Sequence, residues 1–235
     1  MKKSNAIIAS VIIGVAIIGL GLCLKAGIDN FANRNRTVTV RGLCEREVKA
    51  NKVTWPIVTK EMGNDLQAIY NKIQSNNNTI LAFLKANGIK DDEISINPPA
   101  VQDRLADSYN AEDVKVRYNV TNVIVITSSQ VDKIRELIKQ QTALLKEGVA
   151  VIAENYQYQI SYEYTDLNAI KPEMIAEATH NAREAADKFA EDSDSKLGKI
   201  RTASQGQFSI TDRDQYTPYI KNIRIVTYVD YELED

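Results

Sequence analysis

The sequence predicts an α+β chain, with mostly antiparallel sheets covered by helices, two related α/β halves, and one N-terminal transmembrane helix ahead of them. Three observations carry this. Residues 6–24 (AIIASVIIGVAIIGLGLCL) form one unbroken apolar run behind Met1-Lys2-Lys3. The rest of the chain reads strand–strand–helix–strand–strand–helix–strand–helix–strand–strand, an order that belongs to the α+β class. Roughly 200 residues follow the apolar run, enough for one good core or two small ones.

At about 1.5 Å per residue the apolar run makes a helix of roughly 28 Å, the thickness of a bilayer's hydrocarbon core. It is longer than a cleavable signal's apolar region. Its exit, Leu22-Cys23-Leu24-Lys25-Ala26-Gly27, places bulky residues where a cleavage site wants small ones. Leu22 likewise argues against a lipidated Cys23. The reading is therefore a retained signal anchor over 6–24 within an anchor segment 1–24, with the lipid bilayer as its partner. Lys2 and Lys3 on one side and Lys25, Arg34 and Arg36 on the other leave its orientation open. Residues 25–36 (KAGIDNFANRNR) read as a linker, and 37–235 as the folded part, with halves at about 37–127 and 128–235.

Thr37 to Gly42 alternates like a half-buried strand that closes on its glycine. Residues 48–62 continue as a strand with Val53, Trp55 and Ile57 on one face, and Pro56 suggests an edge or a bulge. Asn64-Asp65-Leu66-Gln67 resembles a capping box. Leu66, Ile69, Tyr70, Ile73, Ile80, Phe83 and Leu84 then keep helical spacing as far as Asn87-Gly88. Ser75-Asn76-Asn77-Asn78 has poor helix propensity and reads as a break or an exposed face. Residues 93–97 form a short strand ended by Pro98-Pro99, 102–114 a polar loop, and 118–127 a β-branched strand.

In the second half Ser128-Ser129 caps a helix carrying Val131, Ile134, Ile138, Gln141 and Leu145, stopping at Glu147-Gly148. Residues 156–164 (YQYQISYEY) alternate as a strand. Pro172 sits where a first helical residue belongs, opening a helix through Leu197 that Gly198 ends. Its inner stripe reads Ile175, Ala178, Ala182, Ala185, Ala186 and Phe189. Strands at 200–210 and 222–233 finish the chain.

The stretch 176–190 (AEATHNAREAADKFA), followed by Ser195-Lys196-Leu197-Gly198-Lys199-Ile200, resembles the helix-to-strand signature of the SIMPL-domain family. Val38-Thr39-Val40-Arg41-Gly42, Leu84-Lys85-Ala86-Asn87-Gly88-Ile89 and Ile223-Arg224-Ile225-Val226 resemble the family in the same order. The motifs are weak singly and specific in succession. The resemblance implies an extracytoplasmic, periplasmic domain of the bacterial cell envelope, which with the anchor read over 6–24 makes the expectation a single-pass protein of the cytoplasmic membrane. It also implies homo-oligomeric assembly and a link to oxidative-stress protection. It brings no catalytic residues, and the adaptor role in animal kinase signalling does not transfer with the fold.

Composition and motifs exclude several chemistries. Twenty-nine basic against 31 acidic residues give a net charge of −2 without a basic stripe, a poor nucleic-acid binder. Cys23 and Cys44 form no disulfide framework or Cys-x-x-Cys site. His180 is the single histidine, so no zinc cluster is built around it. It reads as a solvated or core-edge residue. No nucleophile elbow, phosphate loop or dinucleotide fingerprint occurs. Asp91-Asp92-Glu93 and Asp212-Arg213-Asp214 read as solvated turns rather than calcium loops. Cys44 reads as a small buried hydrophobe rather than a redox thiol. The expectation is no enzyme, no cofactor and no metal.

One feature points to binding. Tyr156, Tyr158, Ile160, Tyr162 and Tyr164 fall on one face of the alternating segment, where aromatic rings with polar tips suit an oligomer interface or a ligand groove. Against this stands a sheet face covered by the alanine-rich helix. The expected function is a membrane-tethered, self-associating scaffold. The alternative is a ligand- or partner-binding module on the tyrosine face, and a hydrolase or redox enzyme is the least favoured reading.

Overall fold

The computed structural model describes residues 2–33, 36–107, 114–152 and 156–234. The elements are α1 (Lys2–Asn33), β1 (Thr37–Lys49), β2 (Lys52–Gly63), α2 (Leu66–Ala86), β3 (Ile94–Ile96), β4 (Ala100–Asp103), α3 (Arg104–Asp107), β5 (Tyr118–Ser128), α4 (Val131–Gln140), α5 (Thr142–Lys146), β6 (Ser161–Glu163), α6 (Leu167–Asp192), β7 (Lys196–Gln205), β8 (Ser209–Asp212) and β9 (Ile220–Glu234). One sheet has the order β1–β9–β7, with β8 also on β9. The other has the order β3–β5–β2–β6, with β4 also on β5. The pairs β2–β5, β2–β6, β3–β5, β4–β5 and β7–β9 are antiparallel, so the α+β class with antiparallel sheets and covering helices holds.

The N-terminal expectation is corrected. The apolar run is helical, and α1 extends through the expected linker to Asn33. Among the described residues, however, no helix is long and apolar enough to cross a membrane. The transmembrane helix over 6–24 falls. With it fall the lipid-bilayer partner, the membrane-tethered scaffold and the single-pass periplasmic topology.

Contacts divide the chain into two compact units, each built from separate stretches. The first comprises Met1–Arg46, Asn168–Ser209 and Ile223–Asp235, and the second Glu47–Leu167 and Ile210–Asn222.

In the first unit α6 lies on β1 at backbone distance. A Cβ at Gly42 would stand 1.8 Å from the Ala178 carbonyl oxygen and 2.5 Å from the Ala182 nitrogen. Gly42 therefore admits the helix and does not end the strand, which runs on to Lys49. The face of α6 that packs is Met174, Ala178, Ala182, Ala186 and Ala190. Phe189, expected on that face, is exposed. Val40, Val229 and Tyr231 close this core from the sheet side. The helix opens at Leu167, five residues before Pro172, which therefore stands inside it and cannot donate to the Asn168 carbonyl one turn back. It stops at Asp192, where Ser195 N–H returns to the Ala190 carbonyl (2.9 Å) and Asp194 takes a positive φ. Lys196 and Leu197 belong to β7.

In the second unit β2 and β5 pair from Val53↔Ser128 to Gly63↔Tyr118. β6 reaches only Thr54 on the other side of β2, so Pro56 sits just past that pairing, where a missing N–H is tolerated. Val53, Trp55, Ile57, Ile124 and Ile126 form the sheet side of the core, and Ile80, Leu84, Ile134 and Leu144 the helix side. The expected break in α2 does not occur. Asn76 and Asn77 are buried inside a continuous helix. Asn122 Nδ2 donates to Asn77 Oδ1 (2.7 Å), and Asn76 Nδ2 to Glu61 Oε1 (2.7 Å). Partners on the sheet thus offset the poor propensity of these asparagines.

Candidate functional site

The site begins at the helix cap. Asp65 accepts the backbone N–H groups of Gln67 and Ala68 (2.8 and 3.3 Å), which fixes where α2 starts. From that start Ile69 and Ile73 point into the sheet beside Val120 and are buried, with Tyr118 packed against them. Leu66 and Tyr70 come one turn earlier and stand 43% and 56% exposed. Opposite them Pro99 leads into β4, where Val101 pairs with Val120 and is 56% exposed. Between helix and strand lies a groove of about 420 Å³ lined by these residues and Gln67. Its floor is core, and its rim is apolar surface left open.

The far end of β4 is tied down. Arg117 binds the Asp103 carboxylate through two nitrogens, the shortest contact being 2.7 Å. Asn64 Oδ1 accepts the Arg117 backbone N–H (2.8 Å), and the Arg104 N–H donates to the Arg117 carbonyl (2.8 Å). The guanidinium holds the Asp103 carboxyl below its usual range. These bonds set the position of Val101 against α2.

The tyrosine segment is not one strand. Tyr156 lies in a turn and is 98% exposed, and Tyr158 and Ile160 precede β6, which takes in only Tyr162 of the five. Tyr162 packs against the core of the second unit and meets Tyr219 edge-on at 6.2 Å, and burial pushes its phenol up. Tyr158 and Tyr164 are half-buried. Among the described residues β2 pairs three residues of the alternating segment, Ser161, Tyr162 and Glu163.

The remaining candidates are placed as follows. Cys44 is buried in the first unit, and burial, with help from Glu177, pushes its thiol up to about 11. His180 is exposed on α6, 3.7 Å from Glu184. Asp91-Asp92-Glu93 is a 3₁₀ turn. There Glu93 accepts the Lys90 backbone N–H (3.0 Å) and the Ser128 hydroxyl (2.5 Å), which hold its carboxyl down. Asp214 caps its own turn through the Thr217 hydroxyl and two backbone N–H groups, at about 2. Among the described residues no group of three His, Cys, Asp or Glu could hold a metal ion.

Sequence reasoning missed the groove. Leu66, Ile69, Tyr70 and Ile73 were visible as a helix stripe, but a stripe reads as core. The other wall, 99–101, fell between a strand end and a polar loop. An apolar valine two residues after Pro98-Pro99 was the available signal.

The class defined so far is an antiparallel α+β protein with an open apolar groove. A family model described as SIMPL, protein of unknown function (DUF541), matches residues 38–222. The chain belongs to the SIMPL family. No curated protein matches it.

Proposed function

We propose that the chain is a non-enzymatic binding module whose binding surface is the groove between α2 and β4–β5. The carrying observation is the rim: Leu66, Tyr70 and Val101 are held open to solvent over a buried apolar floor. Concave apolar surface with a few polar groups is the usual form of a ligand site. Two side chains elsewhere support a binder: the Cys44 thiol is buried and pushed up to about 11, and His180 lies exposed 3.7 Å from Glu184 of its own helix, neither being the arrangement of an activated nucleophile.

Fluorescence titration of the full chain tests this with two apolar probes, uncharged N-phenyl-1-naphthylamine and anionic anilinonaphthalene sulfonate. At least one should saturate at one site per chain. Val101→Asp and Tyr70→Glu should each abolish that binding while leaving thermal melting nearly unchanged, because both side chains are largely exposed. If neither probe saturates, or both variants bind as well as the wild type, the reading is wrong.

A further inference from the structure

We propose that the occupant of the groove is an uncharged apolar small molecule, an inference that rests on the groove being a binding site at all. The lining decides the charge. Of the eight described residues that line the groove none is ionisable at neutral pH; their polar side-chain groups are the Gln67 amide and the Tyr70 hydroxyl. A carboxylate or ammonium seated there would give up hydration with no opposite charge to compensate. A neutral ligand loses little, and one hydroxyl or carbonyl on it can meet Gln67 or Tyr70.

Size decides against a protein partner. A stable protein interface engages about 20–30 residues a side, and this groove offers eight. Its volume of about 420 Å³ falls within the range of small-molecule sites, about 300–1,000 Å³. Ile69, Ile73 and Val120 are buried at its base, so the floor is pre-formed and asks for no rearrangement on binding. The exposed Tyr70 ring supplies a flat apolar wall to one side.

The test is competition on the full chain at neutral pH. Whichever probe saturates the groove is displaced by 1-decanol, decanoate or decylamine, three ligands that differ only in head-group charge. Decanol should displace it at a concentration at least about tenfold lower than either ion, the penalty for an uncompensated charge. The decanol effect should vanish with the probe site in Val101→Asp and Tyr70→Glu. Decanoate or decylamine matching or beating decanol would overturn the ligand class, while probe binding that is sensitive to both variants would leave the binding reading standing. Probe saturation that none of the three ligands displaces would also overturn the class, in favour of a macromolecular partner. Absence of any saturable probe binding would fell the underlying reading itself.

Discussion

Replacing Gly42 by alanine adds one methyl group at the closest helix–sheet approach in the first unit. That methyl carbon would sit 1.8 Å from the Ala178 carbonyl oxygen, 2.5 Å from the Ala182 nitrogen and 2.8 Å from the Ala182 Cβ. Two of these atoms are backbone, so no rotamer change relieves the clash. Reaching ordinary contact near 3.4 Å requires α6 and β1 to separate by roughly 1.5 Å, and gaps of even 0.5–1 Å forfeit about a quarter to a half of each dispersion well. Ala178, Ala182 and Ala186 have no longer side chains with which to fill the space. Overpacking costs about 1–3 kcal/mol when side chains can yield, and here they cannot, so Gly42→Ala should cost about 3 kcal/mol or more. At ~2–4 °C per kcal/mol for a chain of this size, thermal melting followed by circular dichroism should fall by roughly 6–12 °C. Gly148→Ala is the control. It has φ +77° and no neighbour within 4 Å, so it should cost only the left-handed backbone penalty of about 1–2 kcal/mol. A Gly42→Ala protein melting within a degree or two of the wild type would refute the close-approach argument.

Other expectations follow from the same geometry. Asn122→Ala should cost about 1–3 kcal/mol in urea unfolding, because it strands the buried Asn77 amide. The Asn77→Leu, Asn122→Leu double variant should recover most of that loss, and a double loss equal to the sum of the singles would refute the pairing. Tyr162→Ala should destabilise by about 2–3 kcal/mol through lost packing against the core and Tyr219. Tyr156→Ser should stay within about 0.5 kcal/mol; a reversed order would show the segment misplaced. Burial raises the Cys44 thiol from 9.0 to about 11, so the folded chain keeps a proton that the unfolded chain releases. Stability from this source is whole below pH ~9 and is lost as pH rises through about 11. The urea midpoint of Cys44→Ala should therefore fall less across that window than the wild type's.

How far the fold was legible depended on whether a pattern was settled locally. Asp65, the stripe from Leu66 to Leu84 and Asn87-Gly88 state α2 completely, because capping and periodicity are properties of neighbouring residues. The β2 face of Val53, Trp55 and Ile57 was equally plain. Failures came where a distant partner decides. Gly42 looks like a strand end until an alanine helix is laid against it. Asn76 and Asn77 look like a break until Glu61 and Asn122 are found opposite. The tyrosine alternation promises nine residues of strand, but β2 pairs only three of them. Pro172 reads as a first residue because proline is common there, yet α6 already runs from Leu167 with Pro172 inside it.

The groove shows the same dependence at the level of function. One wall is a helix stripe whose buried members, Ile69 and Ile73, and exposed members, Leu66 and Tyr70, are indistinguishable in sequence. They are separated by what lies beneath them: Ile69 and Ile73 pack on Val120, within the stretch 118–121 that β4 pairs. Val101 on β4 and Leu66 and Tyr70 on α2 stand on either side of that strip, and the space between them is the groove. The bidentate Arg117–Asp103 pair then matters for function although it is exposed and contributes little to stability. It holds β4 at the register that places Val101 opposite Tyr70. Asp103→Asn should therefore leave the melting temperature within about 2 °C yet weaken probe binding in the groove severalfold. Equal probe affinity in Asp103→Asn and wild type would show that the groove wall stands without its latch.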